Sequence, residues 1–308
     1  MSATARPPTT AHRSVADLLK LARRQGVDRL DAQLLLARRL GVSRTWLIAH
    51  DEAVVPLHAA RACIADLDAR ASGQPLAYLV GEREFHGLTL HVTPAVLVPR
   101  PDTEVLVDWA IECLRGPLCG VPAPRVADLG TGSGAIALAV ACACPQAVVC
   151  GVDRSAAAIE VARANGYRLG LTVEWLQGDW FEPLAGRRFD LLLSNPPYID
   201  AADEHLEALH AEPLEALSPG PDGLAALARI AAQAPGHLAP NGWLLFEHGH
   251  RQADAVGRLL RDAGGQDVST RQDLAARPRC TGAHWGDARA PGWPYGHGAP
   301  GDPLCSRP

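Results

Sequence analysis

The apolar positions in the first quarter of the chain recur at helical spacing. Ser14 and Asp17 have the spacing of a capping box, and the segment after them, VADLLKLARR, places its apolar residues on one helical face. Three more segments with a helical pattern follow, of which the first ends at Gly41 and the last near Gly73. These patterns predict a small all-helical domain over residues 1–75.

After residue 75 the apolar positions alternate instead. The stretch AYLVGEREFHGLTLHV holds two alternating apolar runs around polar and glycine positions, which is typical of a β-hairpin. We therefore predict a hairpin and linker over residues 76–101, which ends in the proline-rich loop VLVPRPDTE. Asp102 is predicted to cap a helix over about 103–115.

The rest of the chain mostly alternates between strand and helix patterns. Apolar runs of strand length are RVADLG, AVVCGVD, TVEWLQGD, FDLLLSN and GWLLFEHG. This alternation predicts an α/β fold with a doubly wound, largely parallel sheet, whose ligands bind at the carboxyl ends of the strands. We assign this domain to residues 102–285. The Pro- and Gly-rich residues 286–308 are predicted to form a disordered tail.

Composition and charge narrow the class of protein. The 308 residues are 47% hydrophobic, no apolar run approaches the roughly 20 residues of a membrane span, and the N-terminus lacks an apolar signal core. None of the eight cysteines forms a CxxC pair, so we predict reduced thiols in a cytoplasmic protein without a metal site. Residues 1–75 carry 11 basic and 7 acidic side chains, whereas the remainder carries 18 and 27. The basic excess fits either a negatively charged partner or a solvated helix surface.

The first motif with chemical meaning is DLGTGSGA, which begins at Asp128 where a strand turns into a helix. Its glycines let the backbone pass close to a ligand, and the helix start offers unpaired N–H groups. The spacing is G-x-G-x-G and not the G-x-G-x-x-G of a dinucleotide site. Asp153 ends the next strand, where its carboxylate can accept two ribose hydroxyl hydrogen bonds or, alternatively, cap the following helix.

The second motif, Asp179-Trp180, ends the third strand of the predicted sheet. An indole at this place can stack on a flat purine, although a packed core tryptophan is the alternative. No basic residue occurs from Thr131 through Cys150, so a pyrophosphate clamp is disfavoured. The site favours a nucleoside without phosphates, such as S-adenosylmethionine.

The third motif, Asn195-Pro196-Pro197-Tyr198, ends the apolar strand LLLS. A carboxamide or an exocyclic base amine is a poor nucleophile, because its lone pair is delocalised. The Asn195 side-chain oxygen and the Pro196 carbonyl can hold both N–H hydrogens of such a nitrogen and aim it at a methyl donor. The prolines restrict the backbone, and Tyr198 can cover the planar group by stacking. A simple strand stop is the alternative interpretation.

Along the chain, VLVPRPDTE, DLGTGSGAIALA, GDWF and SNPPYI resemble the motifs of the PrmC/HemK protein N5-glutamine methyltransferases. PLAYLVGEREFHG and EPLEALSPGPDGL fit the same pattern, and the resemblance covers about residues 15–285. NPPY alone also occurs in DNA enzymes that methylate amines.

The resemblance implies a class I S-adenosylmethionine-dependent methyltransferase fold with one antiparallel strand near the C-terminus. It implies S-adenosyl-L-methionine as the methyl donor, S-adenosyl-L-homocysteine as the product, and no metal. The substrate would be the glutamine of the Gly-Gly-Gln motif in class I peptide chain release factors, so the enzyme would modulate translation termination. The N-terminal helices would dock the release factor. We expect a monomer without a membrane or a stable nucleic-acid partner.

The resemblance also implies a role for each matching residue. Phe85 and the 97–104 loop would wall the pocket. The residues implied for cofactor binding are Gly130, Thr131, Gly132, Ser133, Gly134, Asp153, Asp179, Trp180 and Asn195. The residues implied for gripping the glutamine amide are Asn195, Pro196, Pro197 and Tyr198, of which Asn195, Pro196 and Tyr198 would be catalytic.

Three other functions remain compatible with these motifs. The same site could methylate a glutamine of another protein, for instance a ribosomal protein, because both acceptors present the same amide. Adenine-N6 methylation of DNA would need a basic groove and base flipping, and the acidic catalytic half argues against it. A nucleoside-binding or scaffold protein without turnover is the non-enzymatic alternative.

Overall fold

The computed structural model describes residues 13–203, 206, 209–220 and 223–286. The chain divides into two compact units, Met1–Gly81 and Glu82–Pro308. Within the described residues, none of the helices combines the length and the apolar character that crossing a membrane requires. The predicted tail after residue 286 lies outside the described residues.

The first unit is built from helices around one apolar core, as the sequence predicts. Both hydrogen bonds of the Ser14 capping box are present at the start of the first helix. Leu18, Leu35 and Leu67 are almost completely buried in the core. A two-residue strand pair, Arg13–Ser14 with Val54–Val55, closes one end. The helices are α1 (Val15–Arg24), α2 (Arg29–Leu40), α3 (Arg44–Ala49), α4 (Leu57–Ala71) and α5 (Leu76–Val80).

The prediction that a hairpin begins at residue 76 is wrong for its first run. Leu76–Val80 is the helix α5, which starts after Pro75 and ends at Gly81 with φ +78°. Leu76, Leu79 and Val80 stand at i, i+3 and i+4, and these side chains pack on the core of the first unit. A proline before the helix fixes its start, and the apolar contacts favour the helical period.

The hairpin itself comes later, in the second unit. Glu82–Phe85 pairs with Leu88–His91, and the two-residue turn between them, His86-Gly87, has positive φ at both residues. That geometry is the one that matches the twist of the two strands.

The second unit has a seven-stranded sheet with helices on both faces, which confirms the predicted α/β class. Five neighbouring strands run parallel, and Pro278–Trp285 runs antiparallel to both of its neighbours. Apolar clusters fill both faces of the sheet. In spatial order the strands are Gln266–Gln272, Pro278–Trp285, Leu238–Glu247, Phe189–Ser194, Arg125–Leu129, Val148–Asp153 and Glu174–Gln177. The α-helices with both ends among the described residues are Glu104–Arg115, Ala135–Ala143, Ala156–Leu169, Leu214–Leu217, Ala225–Gln233 and Ala253–Asp262.

Asp102 does not cap the helix that follows it, contrary to the prediction. A 3-10 turn, Pro101–Thr103, precedes the helix Glu104–Arg115, whose first residues have no side-chain cap. The Asp102 carboxylate instead pairs with Arg279, at 3.0 Å from Nη2.

Asn165 joins the hairpin to the turn after the strand Arg125–Leu129. Its side chain, 1% exposed, accepts the His91 N–H at 2.7 Å and donates to the carbonyls of His91 and Ser133, both at 2.9 Å. One amide therefore satisfies three buried backbone groups from two distant segments.

We predict that Asn165→Leu lowers the free energy of unfolding by about 2–4 kcal/mol, because it removes all three hydrogen bonds between the Asn165 amide and the backbone. Denaturant unfolding followed by circular dichroism measures the change. Tyr167→Ala, on the same helix but 90% exposed, is the matched control and should change stability by less than about 0.5 kcal/mol. Equal stability of the two variants would contradict the bridging role of Asn165.

Candidate active site

The main cavity of the second unit lies at the carboxyl ends of the parallel strands, where a doubly wound sheet binds ligands. Its volume is about 630 Å³. Of the residues singled out from the sequence, those in its wall are Gly130, Thr131, Gly132, Ser133, Asp153, Asp179, Trp180, Asn195 and Pro197.

The register of two strands brings the glycine turn beside Asn195. Leu129, the last residue of its strand, pairs with Ser194, the last residue of the neighbouring strand. The Ser194 hydroxyl donates to the Leu129 carbonyl at 2.7 Å. Gly130 and Asn195 therefore leave the sheet at adjacent positions.

The glycine turn holds its shape through the neighbouring strand. The N–H groups of Gly130 and Thr131 both donate to the Val152 carbonyl, at 2.8 and 2.9 Å. Gly130 has φ +77°, and a Cβ there would come within 3.2 Å of the Trp180 ring. Only glycine therefore allows this backbone and this close approach of the indole.

Gly134 is not among the residues that line the main cavity, and its role in cofactor binding stays a prediction. A Cβ at Gly134 would meet Trp175 at 2.8 Å and Ala162 at 3.2 Å, on the side of the core. The third glycine of the motif serves close packing between the turn, a helix and a strand, at a φ of +82°.

Asp128 stabilises the glycine turn through a buried hydrogen bond, a role that the sequence did not predict. It is fully buried, and the Thr131 hydroxyl donates to its Oδ2 at 2.6 Å. Burial raises the pKa of Asp128 to about 7, against the lowering effect of the Thr131 hydrogen bond. Its position at the head of the glycine motif was the available sequence signal.

Asp153 connects the glycine turn to the next helix. Its Oδ2 accepts the Gly132 N–H and its Oδ1 accepts the Ser155 N–H, both at 2.9 Å. The helix cap proper is Ser155, whose hydroxyl accepts the Ala158 N–H at 3.2 Å. Burial raises the pKa of Asp153, and the two N–H groups oppose that rise. A carboxylate has about four acceptor positions, so two remain for a ligand in the cavity.

Asp179 and Trp180 contribute to the wall in different ways. Trp180 has φ +52°, an unusual backbone for a large side chain, and its indole lies against Gly130. The Asp179 carboxylate pairs with Arg229 at 2.6 Å. Arg229 also lines the cavity. The sequence did not predict this positive charge at the site.

Asn195 lies in the wall of both the main cavity and a second one of about 280 Å³. Its Nδ2 is 3.4 Å from the Thr103 hydroxyl. Pro196 is buried, Pro197 lines the main cavity, and Tyr198 lines the second. The motif therefore stands between two adjoining cavities.

Tyr198 is hydrogen-bonded to the buried side chain of Glu247. Its hydroxyl donates to Glu247 Oε1 at 3.3 Å, and its carbonyl accepts from Gln252 Nε2 at 3.0 Å. Burial raises the pKa of Tyr198 well above its usual value, and the neighbouring Glu247 charge raises it further. The phenol therefore stays neutral.

Glu247 is the last residue of the strand Leu238–Glu247 and His248 follows it, and both side chains are buried and polar. Burial raises the pKa of Glu247 to about 7, while the Thr103 hydroxyl and the charge of Arg279 favour its ionised form. The ring of His248 contacts the Thr281 hydroxyl at 2.7 Å and the Gly249 carbonyl at 2.9 Å. Burial lowers the pKa of His248.

The resemblance implied that Phe85 and the 97–104 loop wall the pocket. This is wrong for Phe85, whereas part of the loop does line the cavities. Phe85 is 1% exposed and packs within the apolar core. The loop residues Leu97 and Arg100 line both cavities. Buried Glu212 holds this loop, because its carboxylate accepts the Val98 N–H at 3.1 Å and pairs with Arg100. The sequence gave one indication of a role for Glu212, which is its position as the first residue of the matching segment EPLEALSPG.

Family models match both parts of the chain. Residues 10–81 match the PrmC N-terminal domain, and residues 107–220 match the methyltransferase small domain. A methyltransferase of Pyrococcus furiosus shares the fold, with a TM-score of 0.50, 18% identity, and coverage of 65% of this chain and 90% of that one. The class I methyltransferase fold that the resemblance implied is thus confirmed.

Curated relatives are similar over most of their length. The release factor glutamine methyltransferase of Bordetella pertussis is 52% identical over 264 residues, which cover 84% of this chain and 96% of that protein. The enzyme of the same name from Xylella fastidiosa is 47% identical over 266 residues, or 85% and 95%. This similarity, together with the geometry of the glycine turn and of Asn195, shows that the chain belongs to the release factor glutamine methyltransferase family.

Proposed function

We propose that this chain transfers a methyl group from S-adenosyl-L-methionine to the side-chain amide nitrogen, N5, of the glutamine in the Gly-Gly-Gln motif of class I release factors. The observation that carries the proposal is the position of Asn195 in the wall shared by two cavities. One cavity has room for a nucleoside donor, and the other has room for an amide side chain.

The main cavity fits the cofactor. Asp153 keeps two acceptor positions for ribose hydroxyls, and the Trp180 indole in the cavity wall would stack on an adenine. Gly130 to Ser133 would hold the methionine part near the start of the helix Ala135–Ala143. The bound sulfonium supplies an activated methyl group, and the product is S-adenosyl-L-homocysteine.

The residues of the NPPY motif would promote methylation of a poor nucleophile, the glutamine amide nitrogen, by orienting it. The glutamine amide nitrogen has its lone pair delocalised into the carbonyl group. Asn195 Oδ1 and the Pro196 carbonyl would accept its two N–H hydrogens, which aims the nitrogen at the methyl carbon. The same two acceptors favour the positive charge that develops on nitrogen in the transition state. Neutral Tyr198 would cover the amide plane.

The helical unit would recognise the protein substrate. We propose that the helical unit, which extends through Gly81, docks the release factor and that the second unit carries out catalysis. The basic excess of residues 1–75 supports an acidic docking partner. The monomeric state, the cytoplasmic location and the lack of a stable nucleic-acid partner stay predictions from the sequence.

We predict that the full-length chain adds one methyl group to the Gly-Gly-Gln glutamine when it is incubated with a purified release factor and the cofactor. Mass spectrometry of the tryptic peptide measures the modification. A release factor with glutamate in place of that glutamine is the control and should stay unmodified. An unmodified glutamine, alongside methylation of a ribosomal-protein glutamine or of adenine in DNA, would contradict the proposal.

We predict that Asn195→Ala and Asp153→Ala affect different steps. Asn195→Ala should lower kcat by about 10²–10³-fold and change the cofactor Kd little, because it removes an acceptor for the substrate amide. Asp153→Ala should raise the cofactor Kd by about tenfold or more through the loss of ribose hydrogen bonds. Calorimetry measures Kd, single-turnover assays measure the rate, and a near wild-type rate for Asn195→Ala would contradict its role.

A further inference from the structure

The NPPY motif is a stiff segment, so the direction of its acceptors depends on what holds its two ends. Asn195 and Pro196 each precede a proline, which restricts them to extended backbone, and the two proline rings fix two φ angles. The near end is fixed where the Ser194 hydroxyl donates to the neighbouring strand at 2.7 Å. The far end is the peptide after Tyr198, and an anchor there would set the direction of the Pro196 carbonyl.

We propose that Gln252 is a positioning residue, which anchors the Tyr198 end of this segment and thereby keeps the Pro196 carbonyl aimed at the substrate amide. The proposal rests on the proposed function, in which the Pro196 carbonyl accepts a substrate N–H. It gives a role in the reaction to a side chain that is not among the residues lining either cavity and that lies 54 residues along the chain from Tyr198.

The first observation is that the Gln252 side-chain amide makes three hydrogen bonds to backbone groups. Nε2 donates to the Tyr198 carbonyl at 3.0 Å and to the Gly223 carbonyl at 3.3 Å. Oε1 accepts the Gly249 N–H at 2.8 Å. These partners distinguish the two ends of the amide, because a carbonyl can only accept and an N–H can only donate. The amide is therefore held in one orientation, with a partner for each hydrogen of Nε2.

The second observation is that the peptide between Tyr198 and Ile199 is held on both of its polar sides. Its carbonyl accepts from Gln252, and its N–H, which belongs to Ile199, donates to the Leu217 carbonyl at 2.9 Å. Because a peptide is planar, these two hydrogen bonds together fix its orientation. Without the Gln252 bond the plane could tilt about the remaining one and carry the stiff segment with it.

The third observation is the close approach of Gly223 to this anchor. Gly223 has φ +64°, and a Cβ there would come within 2.5 Å of the Tyr198 carbonyl oxygen and 2.9 Å of Gln252 Nε2. Glycine is therefore required for this backbone to reach Gln252 and Tyr198 together. A substitution at Gly223 disturbs the same anchor from another segment of the chain.

The kinetic test compares Gln252→Glu with the wild type in the full chain. Glutamate keeps the shape and an acceptor for the Gly249 N–H, but its carboxylate has no hydrogen to donate to the two carbonyls. We expect kcat to fall about 5- to 20-fold, with the cofactor Kd and the KM for release factor nearly unchanged. Gln233→Glu makes the same exchange at an exposed position and should leave kcat within about twofold.

Gln252→Met is a second variant, because the charge of Gln252→Glu can by itself destabilise the fold. Methionine is unbranched, flexible and uncharged, and it makes none of the three hydrogen bonds. It should lower kcat to a similar extent, and circular dichroism checks that each variant is folded. A wild-type kcat for a folded Gln252 variant would overturn the proposal, and so would a loss of kcat/KM that comes entirely from KM.

A double-mutant cycle tests whether Gly223 and Gln252 act on the same anchor. Gly223→Ala alone should lower kcat, since its Cβ would displace the Tyr198 carbonyl. Combined with Gln252→Met, the loss should be clearly smaller than the product of the two single losses. A combined loss equal to that product would contradict a shared anchor.

A measurement without turnover separates this proposal from the proposed function. Tyr198 is the one tyrosine of the chain that an isoleucine follows, so carbonyl-¹³C tyrosine and ¹⁵N isoleucine together label a single peptide. We expect Gln252→Met to shift the carbonyl signal of that peptide and Gln233→Glu to leave it unchanged. An unshifted signal in Gln252→Met would refute the anchor, whereas failure of the wild type to methylate any release factor would refute the proposed function and leave the anchor in place.

Discussion

The pairing of Leu129 with Ser194 is the constraint on which the site depends. Because of this pairing, two neighbouring parallel strands end side by side. The buried Ser194 hydroxyl stabilises the pairing by donating to the Leu129 carbonyl. A slip by one residue would turn every buried side chain of one strand to the other face, so the apolar core enforces the register. The glycine turn and Asn195 can stay adjacent only because the core forbids the slip.

Several buried or partly buried ionisable groups of the second unit have at least one hydrogen-bond or charge partner. Asp128 takes the Thr131 hydroxyl, Glu212 takes Arg100, and Arg279 lies between two carboxylates. Burial of such groups is costly unless hydrogen bonds or opposite charges compensate. The arrangement therefore sacrifices some stability for fixed positions, which is typical of a site that works by aiming groups.

The sequence predicts the parts of the fold that depend on local pattern. Helical spacing, strand length and the turn glycines lead to the two-part architecture and to most residues of the cavity wall. It fails where distant residues decide the outcome: α5 is helical because the first core holds its apolar side, and Asp102 leaves its helix for Arg279. Thr103 and Asn195 are 92 residues apart, so no local pattern could show that they touch.

The link between Asn165 and the hairpin has a consequence for how the hairpin can vary among relatives. Asn165 bonds to the backbone N–H and carbonyl of His91, and every residue except proline carries the same two groups. The strand can therefore drift in sequence, or be exchanged for that of a homologue, while its attachment beside the glycine turn persists. The attachment thus depends on the amide at position 165 and on the backbone of position 91, 74 residues earlier in the chain.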